Sequence, residues 1–370
     1  MRIISLFNNK GGVGKTTLGF HLSHALSAMG YKTLIIDLDP QCNISILSVD
    51  EEVLHDIWAK EDLFFENGFG ESLNKISIEE SEKLLNSPRS IHFILKPTSD
   101  GESPLEKLPP TLKLNNNLDL IPGRLTVYQY EQLISERWAG LYLGNSLSIR
   151  TVTDIRDIAE RYSKDQEYDF VIIDTSPSLG ALNKVIISTV DGFIIPAFPD
   201  IFSVYGIRNI GNSLKSWKNE FDIIYSLLSE EKRKKFPSKF VQFLGYTIYN
   251  AKKNSKGSKN KVLAKAHENY FNLIPETISE FIDSNIKSIN KNTIGIPIGG
   301  ESILKTHNTF PAMSQKYHVP MWEVPFVTDL DDEDKSTING NRSNYEETKK
   351  SYISFATDLL KRLNIGESHE

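Results

Sequence analysis

The sequence has one cysteine and no long hydrophobic run, and each shortage excludes a class of protein. Cys42 has no second thiol to pair with among the 370 residues, which excludes a disulfide framework and an all-cysteine metal site. No apolar segment approaches the roughly 18 residues that cross a bilayer, so we expect no membrane-spanning helix. Met1 leads directly into the first predicted strand, and we expect no targeting segment. These features favour a protein of the reducing cytoplasm.

Two common catalytic patterns are also missing. The eight histidines form no H-x-x-x-H or H-E-x-x-H pattern, so a zinc hydrolase has no support. A G-x-S-x-G elbow is absent as well, which removes the support for a serine hydrolase of that kind. The chain carries 42 basic and 48 acidic residues, a net charge of −6, so any binding to nucleic acid must come from a local basic patch.

The most informative segment is the run Asn-Lys-Gly-Gly-Val-Gly-Lys-Thr-Thr at residues 9–17. It lies between a predicted strand at residues 2–7 and a predicted helix at residues 17–29, the context of a phosphate-binding loop. Glycines let backbone N–H groups approach phosphate oxygens, and the start of the helix adds its positive dipole end. We expect Lys15 to neutralise the β- and γ-phosphates and the Thr16 hydroxyl to ligate Mg²⁺. The predicted nucleotide-binding residues are Lys10, Gly11, Gly12, Val13, Gly14, Lys15, Thr16 and Thr17.

A second lysine, Lys10, precedes the glycines of this loop. At that position the side chain lies on the rim and points away from the γ-phosphate of its own nucleotide. Its expected anionic partner is therefore a nucleotide held by a second subunit, which predicts a nucleotide-sandwich dimer. A solvated surface lysine is the alternative interpretation.

Carboxylates stand at the ends of two further predicted strands. The first strand ends in Asp37 and Asp39, and their spacing puts both on the same side of the strand end. The second ends in Asp174, which we expect to hold Mg²⁺ through water. An acidic strand end is also typical of a turn. The three carboxylates gain significance because they follow the phosphate loop in series.

These segments resemble the deviant Walker A group of P-loop ATPases, the ParA/MinD group. The resemblance rests on residues 9–17, on Asp-Leu-Asp-Pro-Gln-Cys-Asn at 37–43 and on Asp-Thr-Ser-Pro-Ser-Leu-Gly at 174–180. The sequence is similar to the ParA branch except at Ser176, where the family usually has proline. It implies that Lys10 acts across the dimer, Asp39 orients the attacking water and Asp37 contacts the Mg²⁺ shell through water. The implied catalytic residues are Lys10, Lys15 and Asp39.

The resemblance also implies a function. A ParA-like protein is an ATP- and Mg²⁺-dependent ATPase, slow until a partner stimulates it. Its ATP-bound homodimer binds DNA nonspecifically and partitions a plasmid or chromosome with a ParB-like adaptor, in the cytoplasm and on the nucleoid. Positioning of a non-DNA cargo and a MinD-like membrane switch stay open as alternatives. The nitrogenase iron protein is excluded by the cysteine count, and the bacterial tyrosine kinases are disfavoured by a tail with only two tyrosines.

The chain reads as a single α/β domain over residues 1–370, with a doubly wound and mostly parallel sheet of the P-loop NTPase type. Residues 49–117 loosen into acidic helices and polar loops, which predicts a helical insertion. Residues 329–344 read as an acidic surface loop. Residues 345–363 have a helical apolar stripe, which favours core packing or a dimer contact over binding to a membrane surface.

The remaining candidates concern the base and DNA. Asn250 ends a predicted strand where some relatives hydrogen-bond adenine, although a turn is an equal interpretation. Residues 252–265 contain six lysines and no acidic residue, the composition of a DNA-binding patch or of a solvated loop. The candidate DNA-binding residues are Lys215, Lys218, Lys252, Lys253 and Lys256.

Overall fold

The computed structural model of the chain describes residues 1–248, 261–287, 295–300 and 309–365, with backbone alone for residues 261–268. Within these residues, seven strands form one sheet in the order β3-β4-β2-β5-β1-β6-β7. Every neighbouring pair is parallel except β3 and β4. The strands are β1 (Arg2–Leu6), β2 (Thr33–Asp37), β3 (Leu112–Asn115), β4 (Leu118–Ile121), β5 (Phe170–Asp174), β6 (Gly192–Ala197) and β7 (Gln242–Ile248).

Helices cover both faces of this sheet, which confirms the doubly wound α/β architecture. In the described part of the chain they are α1 (Lys15–Ala28), α2 (Asn43–Ser48), α3 (Glu51–Asn67), α4 (Phe69–Leu73), α5 (Ile78–Leu85), α6 (Ile91–Ser99), α7 (Tyr128–Arg137), α8 (Ser146–Gln166), α9 (Ala181–Thr189), α10 (Ile201–Leu227), α11 (Glu230–Arg233), α12 (Lys261–Phe281), α13 (Phe310–Tyr317), α14 (Asp332–Gly340) and α15 (Arg342–Arg362). Short 3₁₀ turns lie at Leu125–Val127, Trp138–Leu141 and Met321–Phe326.

The two faces of the sheet belong to separate hydrophobic clusters. Successive side chains of a strand point to opposite faces, and Ile3 accordingly joins the cluster under α7–α10 while Ile4 joins the cluster under α1 and α15. Strands β2, β4, β5 and β6 are buried along their whole length. This burial on both faces accounts for their mostly apolar sequences. The order of the strands brings the carboxyl ends of β1, β2 and β5 together at one edge.

The insertion at residues 49–117 contains helices α3–α6 and has its own aromatic centre. The rings of Phe64, Phe69 and Phe93 contact one another with centroids 5.0 to 5.5 Å apart. Glu61 is fully buried and accepts hydrogen bonds from the Ser90 backbone at 2.8 Å and from its hydroxyl at 2.6 Å. The insertion also supplies β3, an edge strand of the main sheet that the sequence analysis did not predict.

The segment expected to be an acidic loop at residues 329–344 is largely helical. Helix α14 occupies Asp332–Gly340, with Asp332, Glu333 and Asp334 in its first turn, where carboxylates interact favourably with the helix dipole. Asp334 accepts hydrogen bonds from Lys316 at 2.8 Å and from Tyr317 at 2.6 Å. The acidic run therefore starts a helix, because its charges are compensated by the dipole and by α13.

The C-terminal helix α15 packs its apolar stripe against α1. Tyr352, Phe355 and Leu359 are fully buried in the cluster that α1 and β1 share. The same C-terminal region reaches α1 through His21, whose Nε2 accepts a hydrogen bond from the Met321 backbone N–H at 3.1 Å. The apolar face of α15 is thus part of the core rather than a surface for lipid. In the portion of the chain that the structure describes, no helix is long and apolar enough to cross a bilayer.

Candidate nucleotide-binding site

The phosphate loop turns between β1 and α1. Gly12 and Gly14 have φ angles of 73° and 79°, a left-handed conformation that residues with a Cβ rarely adopt. Helix α1 begins at Lys15, and no described side chain caps its N terminus. Backbone N–H groups and the positive dipole end of α1 are therefore available to an anion at the loop.

The rest of the loop supports this conformation. Gly11 lies against Pro177, since a Cβ added at Gly11 would be 3.9 Å from the proline ring. Val13 is buried. The Nε2 atom of His21 accepts a hydrogen bond from the Met321 N–H, so the ring proton is on Nδ1. Nδ1 donates that proton to the carbonyl of Thr17 at 2.7 Å. The first turn of α1 is thereby tied to the C-terminal region.

Lys15 is folded over its own loop. Its Nζ donates to the carbonyl of Asn8 at 3.1 Å and to that of Lys10 at 3.4 Å, and the residue is 7% exposed. Burial lowers the pKa of the amine, while the charges of Asp174 and Asp39 oppose that shift. A buried ammonium group that has only carbonyl acceptors gains most from an added anion, so phosphate oxygens fit this position.

Thr16 and Asp174 meet directly below the loop. The threonine hydroxyl donates to Asp174 Oδ2 at 2.8 Å, while Oδ1 is buried and bonds to no described side chain. Burial raises the pKa of Asp174 to about 7, the Thr16 hydrogen bond acts against this, and the charge of Asp39 adds to it. A hydroxyl and a carboxylate are the oxygen ligands that Mg²⁺ prefers. The donor set therefore fits a magnesium ion bound beside the phosphates.

Asp37 is fully buried and is hydrogen-bonded on both oxygens. Oδ1 accepts the Asp39 N–H at 3.0 Å, and Oδ2 accepts the backbone N–H of Ser45 at 3.1 Å and its hydroxyl at 2.6 Å. Ser45 Oγ in turn accepts the Gly123 N–H at 2.9 Å. Burial raises the pKa of Asp37 to about 8, and the nearby charge of Asp174 adds to the shift. Asp37 thus joins β2, α2 and the end of β4, and its contact with a Mg²⁺ shell stays a prediction.

Asp39 lies in the turn between β2 and α2. It is 4% exposed, and its Oδ1 accepts the Gln41 N–H at 3.0 Å. Its charge affects the pKa values of both Lys15 and Asp174, so it lies within electrostatic reach of each. The sequence-predicted groups Lys15, Thr16, Asp39 and Asp174 are therefore brought together at one edge of the sheet.

Lys10 is held by its own chain. The amine forms an ion pair with Asp200, and it lies 5.1 Å from the ring centre of Phe198 and 5.7 Å from that of Phe202. The side chains of Lys10 and Asp200 are each 25% exposed. Contacts with an anion and two aromatic faces make this a defined position rather than that of a freely solvated lysine.

Sequence reasoning missed three residues of this region. Asn8 is fully buried, and its amide donates to the Pro196 carbonyl at 2.7 Å while its oxygen accepts the Lys10 N–H at 2.9 Å. Asp200 pairs with Lys10, and Ser45 binds Asp37. The only signal for Asn8 was a polar residue just after an apolar strand, which is common in turns. The only signal for Asp200 was an acidic residue just before a helix, which is common at N-caps.

The candidate residues for DNA and adenine are only partly within the described structure. Lys215 is exposed on α10, and Lys218 on the same helix pairs with Asp222 at 2.5 Å. At about 1.5 Å per residue, Lys215 lies roughly 20 Å along α10 from its start beside Lys10. Asn250, Lys252, Lys253 and Lys256 lie outside the described residues.

Comparison with known proteins places these features in a family. A family model described as an AAA domain matches residues 1–225, which include the phosphate loop and all three carboxylates. An uncharacterized protein of Methanocaldococcus jannaschii is 31% identical over 210 residues, covering 56% of this chain and 63% of that protein. The virulence plasmid ParA family protein pGP5-D of Chlamydia psittaci is 26% identical over 254 residues, covering 68% and 78%.

Solved structures agree at the level of the fold. The structure of pNOB8 ParA superposes with a TM-score of 0.54 at 18% identity, and the match covers 98% of each chain. A structure of pNOB8 ParA bound to nonspecific DNA gives a TM-score of 0.52 at 16% identity, again with 98% of each chain covered. The matched region spans between 41% and 63% of the lengths of the first three curated relatives.

Proposed function

Since the chain belongs to the ParA/MinD group of P-loop ATPases, within the family described as an AAA domain, we propose that it is an ATP-dependent dimerising switch. In this proposal the ATP-bound homodimer binds DNA nonspecifically and drives partition of a plasmid or chromosome with a ParB-like adaptor. One observation carries it: Lys10 lies on the rim of a complete phosphate loop, in addition to the lysine that the loop itself requires. The protein would act in the cytoplasm, associated with the nucleoid.

The proposal assigns the nucleotide to the loop and to the groups around it. Gly11, Gly12, Val13, Gly14 and Thr17 would offer backbone N–H groups, and Lys15 would exchange its two loop carbonyls for phosphate oxygens. Thr16 and Asp174 would hold Mg²⁺, with Asp37 at its water shell. When bound, the ion would neutralise charge on the phosphates. The cluster has three buried carboxyl groups for one buried amine, and this surplus of groups that can carry negative charge supports a divalent cation there.

Asp39 and Lys10 would carry the two functions that distinguish a switch from a simple nucleotide-binding protein. Asp39 would orient the attacking water, because it lies within electrostatic reach of both Lys15 and Asp174. Lys10 would contact the nucleotide of the second subunit and so complete the site only in the dimer. Hydrolysis would be slow in the isolated protein, since the chain mainly positions groups and holds one of two states.

DNA binding is supported by the fold and by local charge. The DNA-bound pNOB8 ParA shares the fold of this chain. Lys215 is an exposed cation on α10, while the net charge of −6 requires that any contact with phosphates be local. Such binding would be nonspecific in sequence and sensitive to salt. The buried apolar stripe of α15 gives no comparable support to a membrane switch.

The deciding experiment is an ATPase assay with DNA and the product of the neighbouring gene, added separately and together. We expect slow turnover of the protein alone and a strong increase only when both are present. Stimulation by the partner without any effect of DNA would indicate a different cargo. Fast turnover without either addition would contradict the proposed switch.

A further inference from the structure

The contacts of Lys10 have a consequence for dimerisation. In the single chain its amine already forms an ion pair with Asp200 and lies over the rings of Phe198 and Phe202. One amine cannot contact both Asp200 and a phosphate of another subunit at full strength. The carboxylate of Asp200 therefore competes with the second nucleotide for the same cation.

Asp200 can compete for Lys10 because it is the N-cap residue of α10, and the start of α10 contacts the phosphate loop. Its Oδ1 accepts the Ser203 N–H at 2.8 Å and caps α10, which leaves Oδ2 for Lys10. The first turns of α10 also pack closely against the loop, since a Cβ added at Gly206 would be 3.0 Å from Asn9 Oδ1. The start of α10 and the loop consequently form one connected unit.

The surface around the pair is apolar and exposed. Phe202 is 69% exposed and Tyr205 is 57% exposed; both lie on the first turns of α10, and the ring centre of Phe202 is 5.7 Å from the Lys10 amine. Aromatic side chains of this kind are enriched at protein interfaces. A second copy of this chain approaching Lys10 would meet these rings and Asp200 at the same time.

We propose that Asp200 is a positioning residue that holds Lys10 on its own subunit, so that Lys10 reaches the partner's nucleotide only after the Asp200 pair opens. This inference rests on the proposed function, because it takes the ATP-bound homodimer as its premise. Asp200 then sets how readily ATP-loaded subunits associate, while the loop sets how tightly each subunit binds ATP. Both side chains are partly exposed, so the effect is a modest change in affinity.

The test is the dissociation constant of the dimer with ATP, measured by analytical ultracentrifugation in the slowly hydrolysing Asp39→Ala background. Asp200→Asn keeps an oxygen that can cap α10 and removes the charge that holds Lys10. We expect it to tighten the dimer about 5-fold, because two ion pairs, one in each subunit, no longer have to open and each contributes about 0.5 kcal/mol at such partly exposed positions. Asp222→Asn is the matched control, because Asp222 pairs with Lys218 on the same helix and the change in charge is identical. That control should leave the dimer unchanged.

Two further variants separate the possible failures. Asp200→Ser also retains a capping oxygen and should behave like Asp200→Asn, while neither substitution should restore the dimer that Lys10→Ala disrupts. An unchanged or weaker dimer in both Asp200 variants, with ATP binding per subunit intact, would overturn the role of Asp200 alone. If the background protein does not dimerise with ATP, or if Lys10→Ala leaves the dimer intact, the proposed function itself fails.

Discussion

Asp37 and Asp174 are register partners on β2 and β5, so two buried carboxylates lie side by side at the carboxyl edge of the sheet. Burial is the main cause that raises their pKa values, to about 8 and about 7, and each pKa is raised further by a neighbouring carboxylate, Asp174 for Asp37 and Asp39 for Asp174. Negative charge is thus unfavourable at the site where Mg²⁺ is proposed to bind, and without a ligand both carboxyl groups favour their protonated forms. Binding of a divalent cation would reverse this repulsion.

The stability of the ligand-free protein should therefore decrease as pH rises. A carboxyl group whose pKa is raised by folding contributes stability below its ordinary pKa of 3.8, and that stability is lost as pH approaches the folded value, about 8 for Asp37. Asp37→Asn should be less stable at pH 5, since its amide nitrogen cannot accept the Ser45 N–H. Between pH 5 and 8, however, the free energy of unfolding of Asp37→Asn should fall less than that of the wild type. The slopes of the two proteins should differ by up to about 1.4 kcal/mol per pH unit.

Denaturant unfolding of both proteins across this pH range measures the difference. If the free energy of unfolding of Asp37→Asn has the same dependence on pH as that of the wild type, Asp37 is not one of the groups that titrate in this range. Repeating the series with ATP and Mg²⁺ should flatten the wild-type slope, because the ion favours the ionised carboxylates.

Removal of Lys15 should abolish tight ATP binding. The amine is buried against the loop, and charge-assisted hydrogen bonds to phosphate contribute about 1.5–3 kcal/mol each, so Lys15→Ala should weaken ATP binding roughly 100-fold or more. Fluorescence titration with a labelled nucleotide checks this. Lys32→Ala is a suitable control, because Lys32 pairs with Glu167 at an exposed site. Retained affinity in Lys15→Ala would mean that the loop holds no nucleotide.

Removal of the Asp39 carboxylate should separate binding from turnover. Asp39→Ala should bind ATP, because the loop and Lys15 remain, but it should hydrolyse ATP at least about 100-fold more slowly if Asp39 orients the water. The ATP-bound dimer should then accumulate in analytical ultracentrifugation. Rapid turnover by this variant would exclude Asp39 from catalysis.

DNA binding should depend on ATP and decrease steeply with salt. Gel retardation with ATP should weaken by a factor of about 10³ or more between about 50 and 200 mM salt if six or more phosphates are contacted. Lys215→Ala should reduce the salt slope by about one unit. Lys218→Ala should change the slope less, since Lys218 is already paired with Asp222. A shift that is independent of ATP would contradict the switch.

Much of the fold follows from local sequence. Buried parallel strands such as β2 and β5 are continuous apolar runs that end in carboxylates, and the glycines at 12 and 14 mark a loop with left-handed backbone. The acidic run at 329–344 was misassigned, because a helix start and a polar loop share the same composition. What decides between them is Asp334, which binds α13 at a separation of 17 to 18 residues along the chain.

The sequence by itself determined the phosphate loop, the three carboxylates and the class of fold, because these depend on short motifs and on the period of apolar residues. Only the tertiary structure decided where Lys10 and Asp37 direct their side chains. Lys10 pairs with a residue 190 positions away, and Asp37 lies against Gly123, whose N–H binds the Ser45 hydroxyl that donates to Asp37. Contacts at such separations depend on how strands and helices are arranged in space, which no local pattern encodes. The lysine outside the loop was visible in the sequence; the carboxylate that holds it was not.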